Sequence, residues 1–131
     1  QLKTNLENRT PTSHEKRFAL FCDLHKLPLE FVGNGTFWRT SHSKHINPDF
    51  LDIDERIVIE VYYPYLKPKD YEEQRRKLWN DAGYITVFLK TKDLFCRDWQ
   101  KVCSDKLKPY IEKLDKIERL SNQILEALCY D

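Results

Sequence analysis

The sequence contains no methionine, no Cys-x-x-Cys pair and no apolar run near the ~20 residues that span a bilayer. Nor does a charged-then-apolar leader open it, so neither a membrane helix nor secretion is expected. A chain that begins at Gln1 without methionine reads as a piece of a longer or processed protein. Four scattered cysteines, Cys22, Cys96, Cys103 and Cys129, are too sparse for a disulfide framework. They point to reduced thiols and a cytoplasmic setting. Charge of one sign is lacking too: 22 Lys+Arg against 21 Asp+Glu leave a net +1, so the total does not announce a nucleic-acid binder. There are no repeats and no low-complexity tract.

What is present fits one globular domain over 1–131, with 40% hydrophobic and 33% charged residues. Residues 1–12 read as a polar lead-in. Thr12 or Ser13 can cap a helix on which Phe18, Leu20, Phe21, Leu24 and Leu27 recur at helical spacing, and Leu27-Pro28 ends it. Apolar residues on either side of Asn34-Gly35 predict a hairpin over 29–38. Residues 39–47 form a polar, basic stretch, and 50–53 read as a strand. The stretch 57–63, β-branched and apolar on both faces except at Glu60, predicts a central strand. A charged helix over 70–82, stopped by Gly83, leads into a buried strand over 84–89, which makes a βαβ unit with parallel strands. Over 104–129 a long amphipathic helix keeps Tyr110, Leu114, Ile117, Ile124 and Leu128 in heptad-like spacing, with Ser121 in the remaining slot. That face should dock on the domain's own core; a homodimer is the alternative.

Glu60 is the informative residue. A carboxylate in a buried strand costs several kcal/mol unless it is paired or metal-bound. Strands joined by the Asp54-Glu55 turn would bring Asp49 to the same sheet end as Glu60. Two such carboxylates repel unless a cation joins them, and hard oxygen ligands suit Mg²⁺ or Mn²⁺.

Asn47-Pro48-Asp49-Phe50, followed by Ile57-Val58-Ile59-Glu60-Val61-Tyr62, resembles the core motif of PD-(D/E)XK nucleases. Glu15 on the first helix looks like the helix-borne glutamate of the very-short-patch-repair-like phage homing endonucleases. Glu72, Arg75, Trp79, Gly83 and Tyr84 are similar to the helix those nucleases place after the central strand. The likeness runs from about Glu15 to Leu94. It implies an α/β fold with a central mixed sheet flanked by helices, and a DNA endonuclease working with Mg²⁺ or Mn²⁺ held by Asp49 and Glu60. It further implies Glu15 ordering water, Glu72 orienting ligands from behind, and double-stranded DNA as partner. The setting it implies is a bacterial host cell with a phage-encoded gene. Arg39, His42, Lys44, His45, Arg75 and Arg76 are the expected DNA contacts. The near-neutral net charge is compatible, because site carboxylates offset a basic binding face.

The pattern also departs from the family. Tyr62 occupies the usual lysine slot, and Lys67 stands where these relatives carry a histidine. Lys67, His42 or His45 are left to supply the proton-transfer group. Each residue has a plainer reading. Asp49 alone would be a turn aspartate, Glu15 a helix-start acid, Glu72 a solvated helix charge and Lys67 a loop lysine. Cys22-x-x-His25 and His42-x-x-His45 could make a mixed zinc site, but neither pair has its usual zinc-motif partner. Two further functions compete with the endonuclease: a nucleic-acid-binding module that lost its chemistry, and an interaction domain working through the last helix.

Overall fold

The computed structural model describes residues 11–129, so most of the polar lead-in expected over 1–12 lies outside the described residues. Helix α1 spans Ser13–His25, followed by strand β1, Glu30–Phe31. A short ribbon, β2 (Arg39–Ser41) and β3 (Lys44–Ile46), precedes β4 (Phe50–Asp52) and β5 (Ile57–Tyr62). A 3-10 turn at Pro64–Leu66 leads to α2 (Tyr71–Asp81) and β6 (Ile85–Lys90). Three helices close the chain: α3 (Thr91–Phe95), α4 (Trp99–Lys106) and α5 (Lys108–Cys129).

The main sheet has the order β1-β4-β5-β6. β5 pairs antiparallel with β4 and parallel with β6, with Ile57 opposite Ile85 and Tyr62 opposite Lys90. The expected parallel pair, crossed over by α2, is therefore present, and β5 is interior. Alternation along β5 separates two apolar layers. Ile57 and Ile59 pack with Phe18, Phe21, Leu89, Leu94 and Leu107. Val58 packs on the other face with Leu51, Trp79 and Tyr84. Glu60 alternates with Ile59 and so faces α2. Gly83 ends α2 at φ +93°, and an added Cβ there would sit 3.1 Å from Arg56. Among the described residues no helix is long and apolar enough to cross a membrane.

Three expectations need correction. The Asn34-Gly35 hairpin does not form. Glu30 and Phe31 pair with Leu51 and Phe50 instead, while the Asn34 side chain folds back on the Thr36 amide and hydroxyl. The hairpin lies one segment later, in the polar, basic stretch, where His42 and Ser43 both take positive φ between β2 and β3. This is the conformation that matches strand twist, adopted without glycine. The last helix starts earlier and is broken, because Pro109 has no N–H to continue α4 and the chain restarts at Lys108 as α5.

Candidate functional site: a desolvated carboxylate cluster

The antiparallel register, with Phe50 opposite Ile59, sets Asp49 across from Glu60 at the end of β4. Backbone bonds hold the aspartate there. Its amide donates to the Ile59 carbonyl at 3.1 Å, and its own carbonyl accepts from Val32 and Gly33. One carboxylate oxygen accepts the Val61 amide at 2.7 Å, where the β4 ladder runs out. Asn47 ties this corner down by donating to the Val32 and Phe37 carbonyls.

Glu60, 3% exposed, points at α2. Its Oε2 accepts from Arg75 Nε at 2.5 Å and from the Trp79 indole at 2.8 Å. Burial raises its pKa, and the Arg75 charge opposes that rise. Glu15, also 3% exposed, belongs to a capping box: its Oε1 accepts the Thr12 amide at 2.8 Å, and the Thr12 hydroxyl accepts the Glu15 amide. The same carboxyl is hydrogen-bonded to Asp49. The two readings of Glu15, cap and site acid, thus coincide in one side chain. Asp49 is held well above the usual carboxylate range, by burial first, then by the Glu60 charge and the Glu15 carboxyl.

Three carboxyls, Glu15, Asp49 and Glu60, thus stand together beside Arg75. The cluster therefore carries more acid than Arg75 can neutralise. A proton or a cation must supply the difference, and this is the donor set that a hard divalent ion fits. Among the described residues no group of three or more His, Cys, Asp or Glu side chains forms a ready metal cage. Each acid has one oxygen engaged, Glu15 on its cap, Asp49 on the Val61 amide and Glu60 on Arg75 and Trp79; Asp49 and Glu60, opposite each other in register, are the pair that could face one ion. Two carboxylates with water in the remaining positions suit Mg²⁺, which dehydrates reluctantly.

Lys67 is exposed, its ammonium 5.0 Å from the centre of the Tyr71 ring, and its charge lowers the Glu60 pKa. Glu72 does not join the carboxylate pair; it accepts the Tyr62 hydroxyl and lies 3.7 Å from Arg76. In this structure Glu72 is engaged with the Tyr62 hydroxyl rather than with Asp49 or Glu60. Arg75 is likewise turned inward. Its Nε is on Glu60 and one Nη on the Asn47 carbonyl, so it serves the acids rather than a flanking phosphate. Arg76 lies over the Phe88 ring at 5.0 Å.

On the ribbon, Lys44 and His45 are exposed, and His45 meets Thr40 and the Trp38 ring. Arg39 covers the Phe37 ring at 4.2 Å, and His42 pairs with Asp81. Cys22 is buried in the core with its thiol pushed up to about 12 by burial, whereas His25 stacks on Phe21. His42 and His45 are each engaged elsewhere, so the mixed zinc site is not assembled.

Two contributors were missed from sequence. Tyr71 lies close enough that the Glu60 and Asp49 charges raise its pKa, and the Trp79 indole N–H holds Glu60. Tyr71, Arg75 and Trp79 recur every four residues, the spacing that puts side chains on one helix face. That spacing opposite a strand glutamate was the available signal. Comparison with family models, curated proteins and solved structures finds no match to this chain.

Proposed function

We propose that the chain is a metal-dependent DNA endonuclease domain on the PD-(D/E)XK plan, of the kind found in site-specific homing endonucleases. The observation that carries this reading is the gathering of the Glu15, Asp49 and Glu60 carboxyls in one desolvated corner, with the half-buried Arg75 held on Glu60. An acid cluster of this kind costs stability, and such cost is commonly retained at functional sites. Asp49 and Glu60 would hold Mg²⁺ or Mn²⁺. The ion, when bound, supplies Lewis-acid activation of a phosphate oxygen and a more acidic water.

The remaining work falls to the chain's own side chains. Asp49 is fixed by the Val61 amide, so its carboxylate is presented without rotamer search. Arg75 and Trp79 hold Glu60 through a single oxygen, Oε2. Glu15, rigid in its capping box, accepts a proton from water beside Asp49. Lys67 Nζ, at the exposed rim, donates to the leaving oxygen in the family's histidine position. Lys44, His45 and Arg39 on the ribbon hold the double-stranded DNA through its phosphates.

The test is nicking of supercoiled plasmid in Mg²⁺ and in EDTA, by wild type and by Asp49→Ala. Cleavage in Mg²⁺ alone, lost in the variant, is expected. A variant that cuts at the wild-type rate sinks the site assignment. One observation favours a second reading, a DNA-binding module without chemistry. Arg75 and Trp79 satisfy a Glu60 oxygen, and Tyr62 fills the lysine slot. Under that reading the wild type binds plasmid and never nicks it.

A further inference from the structure

We propose that the outer part of α5 is the seam of a homodimer, in which the stripe from Ile117 to Leu128 packs on the same stripe of a second copy. The proposal is independent of the endonuclease reading. It starts from where α5 touches the domain. Its first two turns are anchored: Tyr110 is buried and donates to Asp52 at 2.8 Å, Ile111 and Leu114 pack on the core, and Lys113 pairs with Glu55 at 2.7 Å. From Asp115 to Cys129 every residue is exposed. At 1.5 Å per residue this is about 22 Å of helix standing clear of the domain.

A solvated helix of that length is marginal by propensity alone and depends on burying an apolar face. This segment has one. Ile117, Leu120, Ile124, Leu125 and Leu128 are 42 to 68% exposed and share one side, whereas Asp115, Arg119, Asn122 and Glu126 occupy the opposite side. Such a wide stripe is the face of a helix packed on another helix. It carries no basic residue, so it does not suit a nucleic-acid backbone.

Area and self-complementarity select a second copy as the occupant. The five side chains expose about 500 Å² per chain, so a symmetric pair removes about 1,000 Å² from water, where specific interfaces begin. In an antiparallel pairing, Ile117 of one copy meets Leu128 of the other, and Ser121 meets Ile124. Every layer is then filled, and each serine lies against an isoleucine instead of its own copy. The two-fold symmetry is the commonest closed arrangement of identical chains.

Sedimentation velocity on the 131-residue chain, across micromolar to sub-millimolar concentrations, tests this. A monomer–dimer equilibrium is expected. Ile124→Lys should weaken it on the order of 100-fold by placing a charge in the seam, and Ser121→Ile should tighten it about tenfold. Both residues are exposed in the single chain, so thermal melts at the lowest concentration should be superimposable on wild type. A wild type that stays monomeric throughout, an assembly larger than two, or an Ile124→Lys variant that dimerises as readily as wild type overturns the proposal.

Discussion

Asp49 and Asp52 stand at the two ends of the same short strand, yet their surroundings are opposite in kind. Asp52, 5% exposed, is ringed by donors: the Tyr110 hydroxyl on one oxygen, and the Asp54 and Glu55 amides on the other. Asp49 accepts the Val61 amide but lies beside two further acids, Glu15 and Glu60, both of which raise its pKa after burial has done so. The first aspartate is an interior fastener, joining the β4–β5 turn to the root of α5. The second sits in a place where the fold pays to keep negative charge. A buried carboxylate surrounded by donors needs no function to account for it; one surrounded by acids does.

The comparison breaks most sharply on activity. If Asp49 is a metal ligand, Asp49→Ala should lower Mg²⁺-dependent nicking by about 10³-fold or more, with DNA retention in a gel shift nearly unchanged. Asp52→Ala, measured on its folded fraction, should cut within a few-fold of wild type. Equal losses in the two variants would erase the distinction.

Stability should run the other way. Asp52→Ala orphans a buried tyrosine hydroxyl and two amides and should cost about 2–3 kcal/mol in urea unfolding. Asp49→Asn keeps an oxygen for the Val61 amide while removing a like charge. In EDTA near pH 8 it should stabilise the protein by about 1 kcal/mol. A destabilised Asp49→Asn would place Asp49 among the fasteners. Glu60→Gln combines the two losses: it leaves Arg75 without its counter-charge and should cost about 2–3 kcal/mol, as Asp52→Ala does, with activity lost as in Asp49→Ala.

The pH dependence sharpens the same contrast. The Asp49 pKa is raised in the folded state from an ordinary 3.8, so the folded protein binds its proton more tightly than the unfolded chain does. Its stabilising contribution is therefore complete below the ordinary value and is lost as pH rises through the folded pKa. In EDTA, the urea midpoint of wild type relative to Asp49→Asn should fall over that interval, and saturating Mg²⁺ should restore it at the alkaline end. A midpoint difference that is flat with pH contradicts the crowding of acids. The smallest expected effect is at the rim: Lys67→Ala should slow cleavage about tenfold with the melt unchanged.

Much of this was readable from residue order. The β-branched run 57–63 interrupted by Glu60 announced the interior strand, and the helix ended by Gly83 announced its parallel neighbour, because burial on both faces leaves a distinctive apolar signature. The hairpin at 34–35 was misplaced, since the Asn-Gly signal describes a local preference. The long-range pairing of Glu30 and Phe31 with β4 overrode it. The real turn at His42-Ser43 had no glycine to mark it.

Sequence alone, through periodicity and the isolated acid in an apolar strand, determined that one mixed sheet would carry Asp49 and Glu60 to a common end. Only tertiary structure decided which side chains meet them there. It turned Arg75 inward to Glu60, Glu72 away to Tyr62 and Arg76, and Glu15 onto Asp49. The physical reason is range. Backbone period follows from neighbours a few residues apart, whereas a buried carboxylate's partners can come from as far as 58 residues along the chain, from whichever helix face the core seats above it.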